Sequence, residues 1–298
     1  MPLMESPSQL KSSSDNNQAL TIRPISGALG AEISDINLAK CANSIDQIKS
    51  AFLKYHVLVF REQTLNPIEI KNFAKYFGPL ETHPYIKGLD EHPEVAPIIK
   101  EANEKINFGG GWHTDMSFLS RPPLGSLLYA IDTPEFGGDT LFANQHAAYE
   151  SLSDYMKEFV GQLKGLHSAA SQYGLNGDSE KRLEARKSMS LGISEKAHAQ
   201  VSHPVVRTHP ESGLRALYIN RPFTERLEGL RSSESNALLS FLLSHCEEPK
   251  FTCRVRWEPG TVTLWDNRIV QHYALNDYDG ERREMHRVTI RGDRPIYD

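Results

Sequence analysis

The chain has 298 residues, 39% of them hydrophobic, a formal net charge of −5 and three cysteines. That length suits one large domain or two small ones with a sizeable core, and scattered Lys and Arg with no basic block argue against a nucleic-acid partner. Cys41, Cys246 and Cys253 form no CxxC and suggest no disulfide scaffold; with no apolar run near the roughly 20 residues of a membrane span, a cytoplasmic location without membrane contact is expected.

In chain order, residues 1–19 are polar and Ser/Asn-rich, lack the apolar stretch of a secretory signal, and read as a disordered lead-in. Residues 20–298, with no repeat or internal linker, read as one domain. "SIDQIKSAFLKYH" predicts a helix capped by Ser44, with Ile45, Ile48, Phe52 and Tyr55 on one face. "VLVF" (Val57 to Phe60) reads as a buried strand. "NPIEIKNFAKYFG" predicts a second helix: Asn66 caps, Pro67 fits the first turn, Glu69 completes a capping box and Gly78 stops it. "LGSLLYAID" reads as a strand, and "SDYMKEFVGQLKGL" as a helix with Met156, Phe159, Val160 and Leu163 at helical spacing. Gly174 to Gln200 is polar without strand alternation, a helical or mobile insertion of the kind that forms lids. "HPVVRTHP" reads as a strand between turns, and "SSESNALLSFLLSHC" as a last helix. In "FTCRVRW", Phe251, Cys253, Val255 and Trp257 alternate with Thr252, Arg254 and Arg256; "TVTLW" and "MHRVTIRG" follow as further strands. Helices before and among many short late strands predict a mainly β fold, a jelly-roll (double-stranded β-helix) core with flanking helices.

The chemistry is concentrated in "GGGWHTDMSF". If this segment is extended, His113 and Asp115 point to one side, and a third ligand should come from a distant strand. His272 in "LWDNRIVQHYA", placed at the end of the buried "TVTLW" strand, is the best candidate. Two histidines and one carboxylate with three positions left open are typical of non-haem Fe(II) oxygenases, where a 2-oxo acid and O₂ take the open positions. Arg283 and Arg287 in "RREMHRVTI" share a strand face with Met285 and Thr289, roughly 13 Å apart. The bland alternative is an edge strand with both arginines in solvent. Otherwise each needs an anion: one the remote carboxylate of 2-oxoglutarate, the other a group on the substrate. Asp266 and Asn267 are expected to brace the strand end beneath His272, Trp112, Trp257 and Trp265 to be core or wall residues, and His203, His209 and His286 to be structural.

"WHTDMSF", "GGDTLFAN", "HPVVRTHPESGLRALYIN", "WDNRIVQHYA" and "RREMHRVTIRGDRP", in this order, resemble the taurine dioxygenase family of Fe(II)/2-oxoglutarate-dependent oxygenases, which includes alkylsulfatases and aryloxyalkanoate dioxygenases. The likeness runs from about Thr21 to Tyr297. It implies His113, Asp115 and His272 as iron ligands, and Thr140 with Arg283 as partners of the 2-oxoglutarate carboxylate. It places Arg287 and His83 at the substrate's sulfonate. It further implies Fe(II), 2-oxoglutarate and O₂ as cofactors, hydroxylation of a small anionic organic substrate (a sulfonate, sulfate ester or carboxylate), and a homo-oligomer, dimer or tetramer. Hydroxylation next to a sulfonate, sulfate or aryloxy group would release sulfite, sulfate or phenol. Two positions depart from the taurine-specific pattern: Ile86 stands for a tyrosine and Gly109 for an asparagine, which points to a less polar tail than taurine's. A biosynthetic hydroxylase or desaturase acting on an amino acid or other carboxylate, and a catalytically dead cupin-like binding protein, are the alternatives.

Overall fold

The computed structural model describes residues 19–298; the lead-in expected over residues 1–19 lies, but for Ala19, outside the described residues. Two sheets face one another. The larger has the order Thr21–Pro24, Ala31–Ser34, Val57–Phe60, Val262–Asp266, Gly125–Asp132, Arg283–Ile290, Leu80–Glu81, with Val95–Lys100 also paired to Arg283–Ile290. All its pairings are antiparallel except Ala31–Ser34 with Val57–Phe60. The smaller sheet sets Thr140–Asn144 between Thr252–Val255 and Val270–Ala274. This is the expected jelly roll with flanking helices.

Alternation divides the core. On Gly125–Asp132, Leu127 and Tyr129 face helices Ile45–Tyr55 and Pro67–Lys75, against Ile48, Phe52, Ile70 and Phe73. Leu128 and Ala130 face the smaller sheet, against Phe142, Val255, Trp265 and Met285. A strand buried on both faces reads as a continuous apolar run, and "SLLYA" does. Phe251, Cys253, Val255 and Trp257 are all buried, as the alternation predicts. The Asn66–Glu69 capping box is present, with Pro67 in the first turn.

Several local expectations fail for identifiable reasons. Ser44 makes no capping bond, because a 3₁₀ turn at Ala42–Ser44 leads directly into the helix. The Asp154 helix stops at Gly161, leaving Phe159 45% exposed, and "KGLH" joins a small sheet instead. "HPVVRTHP" is two strands, Val201–Pro204 and Val206–Thr208. At Val205 the chain leaves one sheet for another, its N–H and C=O bonded to Leu163 and Tyr218. Gly174–Gln200, by contrast, has the helical content expected of it as one of two readings: a helix, Gly177–Ala185, and a 3₁₀ turn, Glu195–His198. It docks firmly: Ser188 bonds the Glu104 carboxylate and the Ile99 carbonyl, and Leu191 bridges Ile86. Among the described residues no helix is long and apolar enough to cross a membrane.

Candidate active site

His113 and His272 are joined by their backbones. Each accepts the other's N–H, at 3.0 and 2.8 Å, in an isolated antiparallel bridge. His272 therefore sits in the middle of its own strand, Val270–Ala274, opposite Phe142, and not at the end of "TVTLW" as expected. The expected extended segment ends at the bridge, where a turn brings Asp115 round. Its Oδ1 is 3.8 Å from His113 Nε2 and 3.9 Å from His272 Nε2. One donor atom from each of the three residues falls within 4.8 Å of the other two, and all three residues are buried.

The surroundings leave these groups with lone pairs that could hold a metal ion. His113 Nδ1 lies 2.7 Å from the Gly111 carbonyl, so it carries the ring proton and leaves the Nε2 lone pair facing Asp115. Burial lowers the pKa of both histidines, His272 to about 3, and keeps them neutral. Burial alone would raise the pKa of Asp115, but Arg287, the two histidines and the Ser126 hydroxyl outweigh it and hold the carboxyl well below the usual carboxylate range. Ser126 Oγ donates to Asp115 Oδ2 at 2.7 Å. Asn267 takes the Asp115 N–H at 2.8 Å and donates to its carbonyl at 2.9 Å. Asn267 thus braces Asp115 rather than His272. Asp266 is tied instead to Arg268 and His209, at 2.7 and 2.9 Å.

Arg283 and Arg287 lie on a central strand of the larger sheet, 4% and 5% exposed, so the edge-strand alternative is overturned. Both line one deep pocket with His113, His272 and Thr140. Among the described residues, Nε and Nη2 of each arginine have no hydrogen-bond partner. Buried donors left open in this way are costly unless a ligand takes them. The Thr140 hydroxyl accepts from Trp257 Nε1 at 2.9 Å, which leaves its own hydrogen free to donate. His83 is half-buried, and its Nδ1 accepts from the Tyr85 N–H at 3.0 Å. Burial, then the charge of Arg287, pushes its pKa well below the usual histidine value. The ring is neutral, and Nε2 carries the donor.

A model of the taurine catabolism dioxygenase TauD, TfdA family matches residues 21–289. The chain belongs to the TauD/TfdA family. It is 35% identical over 279 residues to an alkylsulfatase from Acinetobacter baylyi, covering 93% of this chain and 86% of that one. It is 34% identical to an alpha-ketoglutarate-dependent sulfate ester dioxygenase from Pseudomonas putida, covering 93% and 91%. A solved taurine dioxygenase from Burkholderia xenovorans superposes with a TM-score of 0.78 at 33% identity, covering 93% and 91%. As a TauD/TfdA enzyme the chain is an oxidoreductase that uses Fe(II), 2-oxoglutarate and O₂. The residues present fit those groups: a neutral-histidine and carboxylate donor set for the metal, and orphaned guanidinium donors beside a free hydroxyl for a carboxylate.

The TauD/TfdA site opens into an outer cavity of about 400 Å³. Its wall includes Phe108, Gly109, Trp112, Tyr173 and Phe223, with three arginines and, among the described residues lining it, no carboxylate. Gly109 has φ +77°, and a Cβ there would stand 3.2 Å from His113 Cε1. Ile86 is packed in the apolar core with Met189, and neither cavity is lined by it. Beside it, Tyr85 stacks on Tyr173 with ring centroids 4.5 Å apart. Sequence reasoning missed Ser126, Tyr173 and the role of Trp257. Ser126 did leave a trace, a lone hydroxyl residue opening the apolar run of a buried strand.

Proposed function

We propose that this chain hydroxylates a C–H bond of a small organic anion with an apolar tail, a sulfate ester or sulfonate, in preference to taurine. The outer cavity carries the reading: it offers arginines and aromatic walls, and no lining carboxylate for an ammonium group. A buried ammonium would lack partners, at a cost of about 1–3 kcal/mol or more, whereas an apolar tail gains roughly 25 cal/mol per Å² buried. The names of the alkylsulfatase and sulfate ester dioxygenase relatives agree with it.

In this reading His113, Asp115 and His272 hold Fe(II), Ser126 and Asn267 fix the aim of Asp115, and Arg283 with Thr140 grips the far carboxylate of 2-oxoglutarate. Arg287 and the Nε2–H of His83 take the substrate's anionic head, and Gly109 leaves the space next to His113 clear. Ile86 acts at one remove, by seating the insertion that walls the cavity. Fe(II) with 2-oxoglutarate and O₂ supplies the oxidising power for hydroxylation. The α-hydroxylated carbon of a sulfate ester then collapses to an aldehyde and sulfate. The reading carries with it one domain over residues 20–298, a cytoplasmic location and a homo-oligomer; light scattering measures the last.

The lack of a lining carboxylate disfavours an amino-acid hydroxylase, and the converging His–Asp–His donors disfavour a dead binding protein. The test is kcat/KM for taurine beside hexyl sulfate, hexanesulfonate and an aryloxypropionate. The expected advantage of the apolar-tailed anions over taurine is about tenfold or more, equivalent to about 1.4 kcal/mol. Taurine as the best of the set would reject the reading.

A further inference from the structure

Three arginines face the outer cavity: Arg182, Arg186 and Arg221. Two are engaged. Arg182 donates to the Ser171 carbonyl, and Arg221 makes a two-pronged pair with Glu247 at 2.6 and 2.8 Å. Arg186, just past the insertion helix, differs. Its Nε is buried without a hydrogen-bond partner, and among the described residues the Glu104 carboxylate acts on its charge without a hydrogen bond to it. Its guanidinium carbon stands 5.7 Å from the centroid of the Phe108 ring, and that of Arg287 stands 5.5 Å from the same centroid. Tyr173 adjoins both charges, and burial, against the pull of the two arginines, pushes its pKa to about 12, so its hydroxyl stays a donor. The backbone around Arg186 is fixed. Ser188 is latched to Glu104, and Met189 is buried in the core beside Ile86.

Resting on the function proposed above, we infer that Arg186 is a substrate-binding residue, the second guanidinium for the anionic head held by Arg287, and that it selects three-oxygen heads over carboxylates. A carboxylate has two oxygens, which one guanidinium fork satisfies. A sulfate ester or sulfonate has a third terminal oxygen, and Arg186 is the cation left free to meet it. A guanidinium kept half-buried with no carboxylate bonded to it is costly; the substrate's arrival lessens that cost.

The experiment measures the dissociation constants of hexyl sulfate, hexanesulfonate and heptanoate by anaerobic calorimetry on the Fe(II)- and 2-oxoglutarate-loaded enzyme, with kcat/KM in parallel. Arg186→Gln should weaken hexyl sulfate and hexanesulfonate by about tenfold or more, and heptanoate by less than about threefold. Arg186→Lys should restore part of the loss for the first two. Equal losses on all three ligands, or a loss below about threefold for hexyl sulfate, overturns the inference. Wild-type enzyme that binds and turns over none of the three would overturn the proposed function itself, a result distinct from an unselective Arg186 variant.

Discussion

Arg283→Met separates the grip on 2-oxoglutarate from the stability of the fold, because the two should move in opposite directions. Arg283 is 4% exposed, and two of its three nitrogens have no partner among the described residues. Burial lowers its pKa, which says that the charge is held at a cost. Methionine keeps much of the stem, which packs beneath Gly138, and removes the charge. The substrate-free protein should then unfold at the same temperature or slightly higher, by about 2 °C for each kcal/mol of relieved desolvation. The affinity for 2-oxoglutarate should fall by about 2–5 kcal/mol, the usual cost of truncating one partner of a buried charge pair. Anaerobic calorimetry of 2-oxoglutarate binding to the Fe(II) enzyme reads the second quantity. Thermal shift reads both: 2-oxoglutarate at about 100 times its wild-type dissociation constant should stabilise wild type by about 2.7 kcal/mol and the variant by less than about 1 kcal/mol. An affinity within threefold of wild type would refute the assignment. A substrate-free variant destabilised by more than about 2 kcal/mol would show instead that Arg283 is a structural ion whose partner is internal.

Alanine at His113, Asp115 or His272 should abolish succinate formation coupled to substrate; the melting temperature of the metal-free protein should stay nearly unchanged for the two histidines and fall for Asp115, whose loss strands the buried Arg287 and Ser126, and near wild-type turnover at low iron in any of the three would remove that residue from the ligand set. Ser126→Ala deletes the 2.7 Å bond to Asp115 Oδ2 and should weaken Fe(II) binding by about tenfold, the lower end of the range for altered groups behind a metal ligand, as measured by competition with a chelating dye. Gly109→Ala combines a left-handed backbone with a Cβ 3.2 Å from His113; coupled turnover of hexyl sulfate should fall at least as much as Fe(II) affinity, and unchanged values of both would mean that the ring has room to move.

The sequence was most informative where a motif and a periodicity coincided. The candidate ligands, both arginines and Thr140 stand in short segments whose order alone suggests one site. The two-faced burial of Gly125–Asp132 follows from its unbroken apolar run. What failed was partner choice. Asn267 follows the "TVTLW" strand, so bracing His272 was the natural expectation. Only the turn after His113 brings the backbone of Asp115 within its reach. The break at Val205 was invisible because both halves of "HPVVRTHP" have the composition of a strand, and a change of sheet needs only two hydrogen bonds to new partners. Arg186 gave no sign at all. In a polar segment an arginine reads as solvated, and its isolation is a property of the assembled cavity.

The backbone bridge between His113 and His272 also sets what can vary. It fixes the two residues against each other through bonds that do not involve residues 174–200, which dock instead on Ile86, Ile99 and Glu104. Exchange of that segment leaves both backbone bonds between His113 and His272 in place. Transplanting 174–200 from a relative should therefore exchange the walls that meet the substrate and leave the iron and 2-oxoglutarate constants close to their original values. Under the proposed function, only the walls around the substrate's tail are open to such revision, because Arg287, which takes the head, shares a strand with Arg283 and touches Asp115.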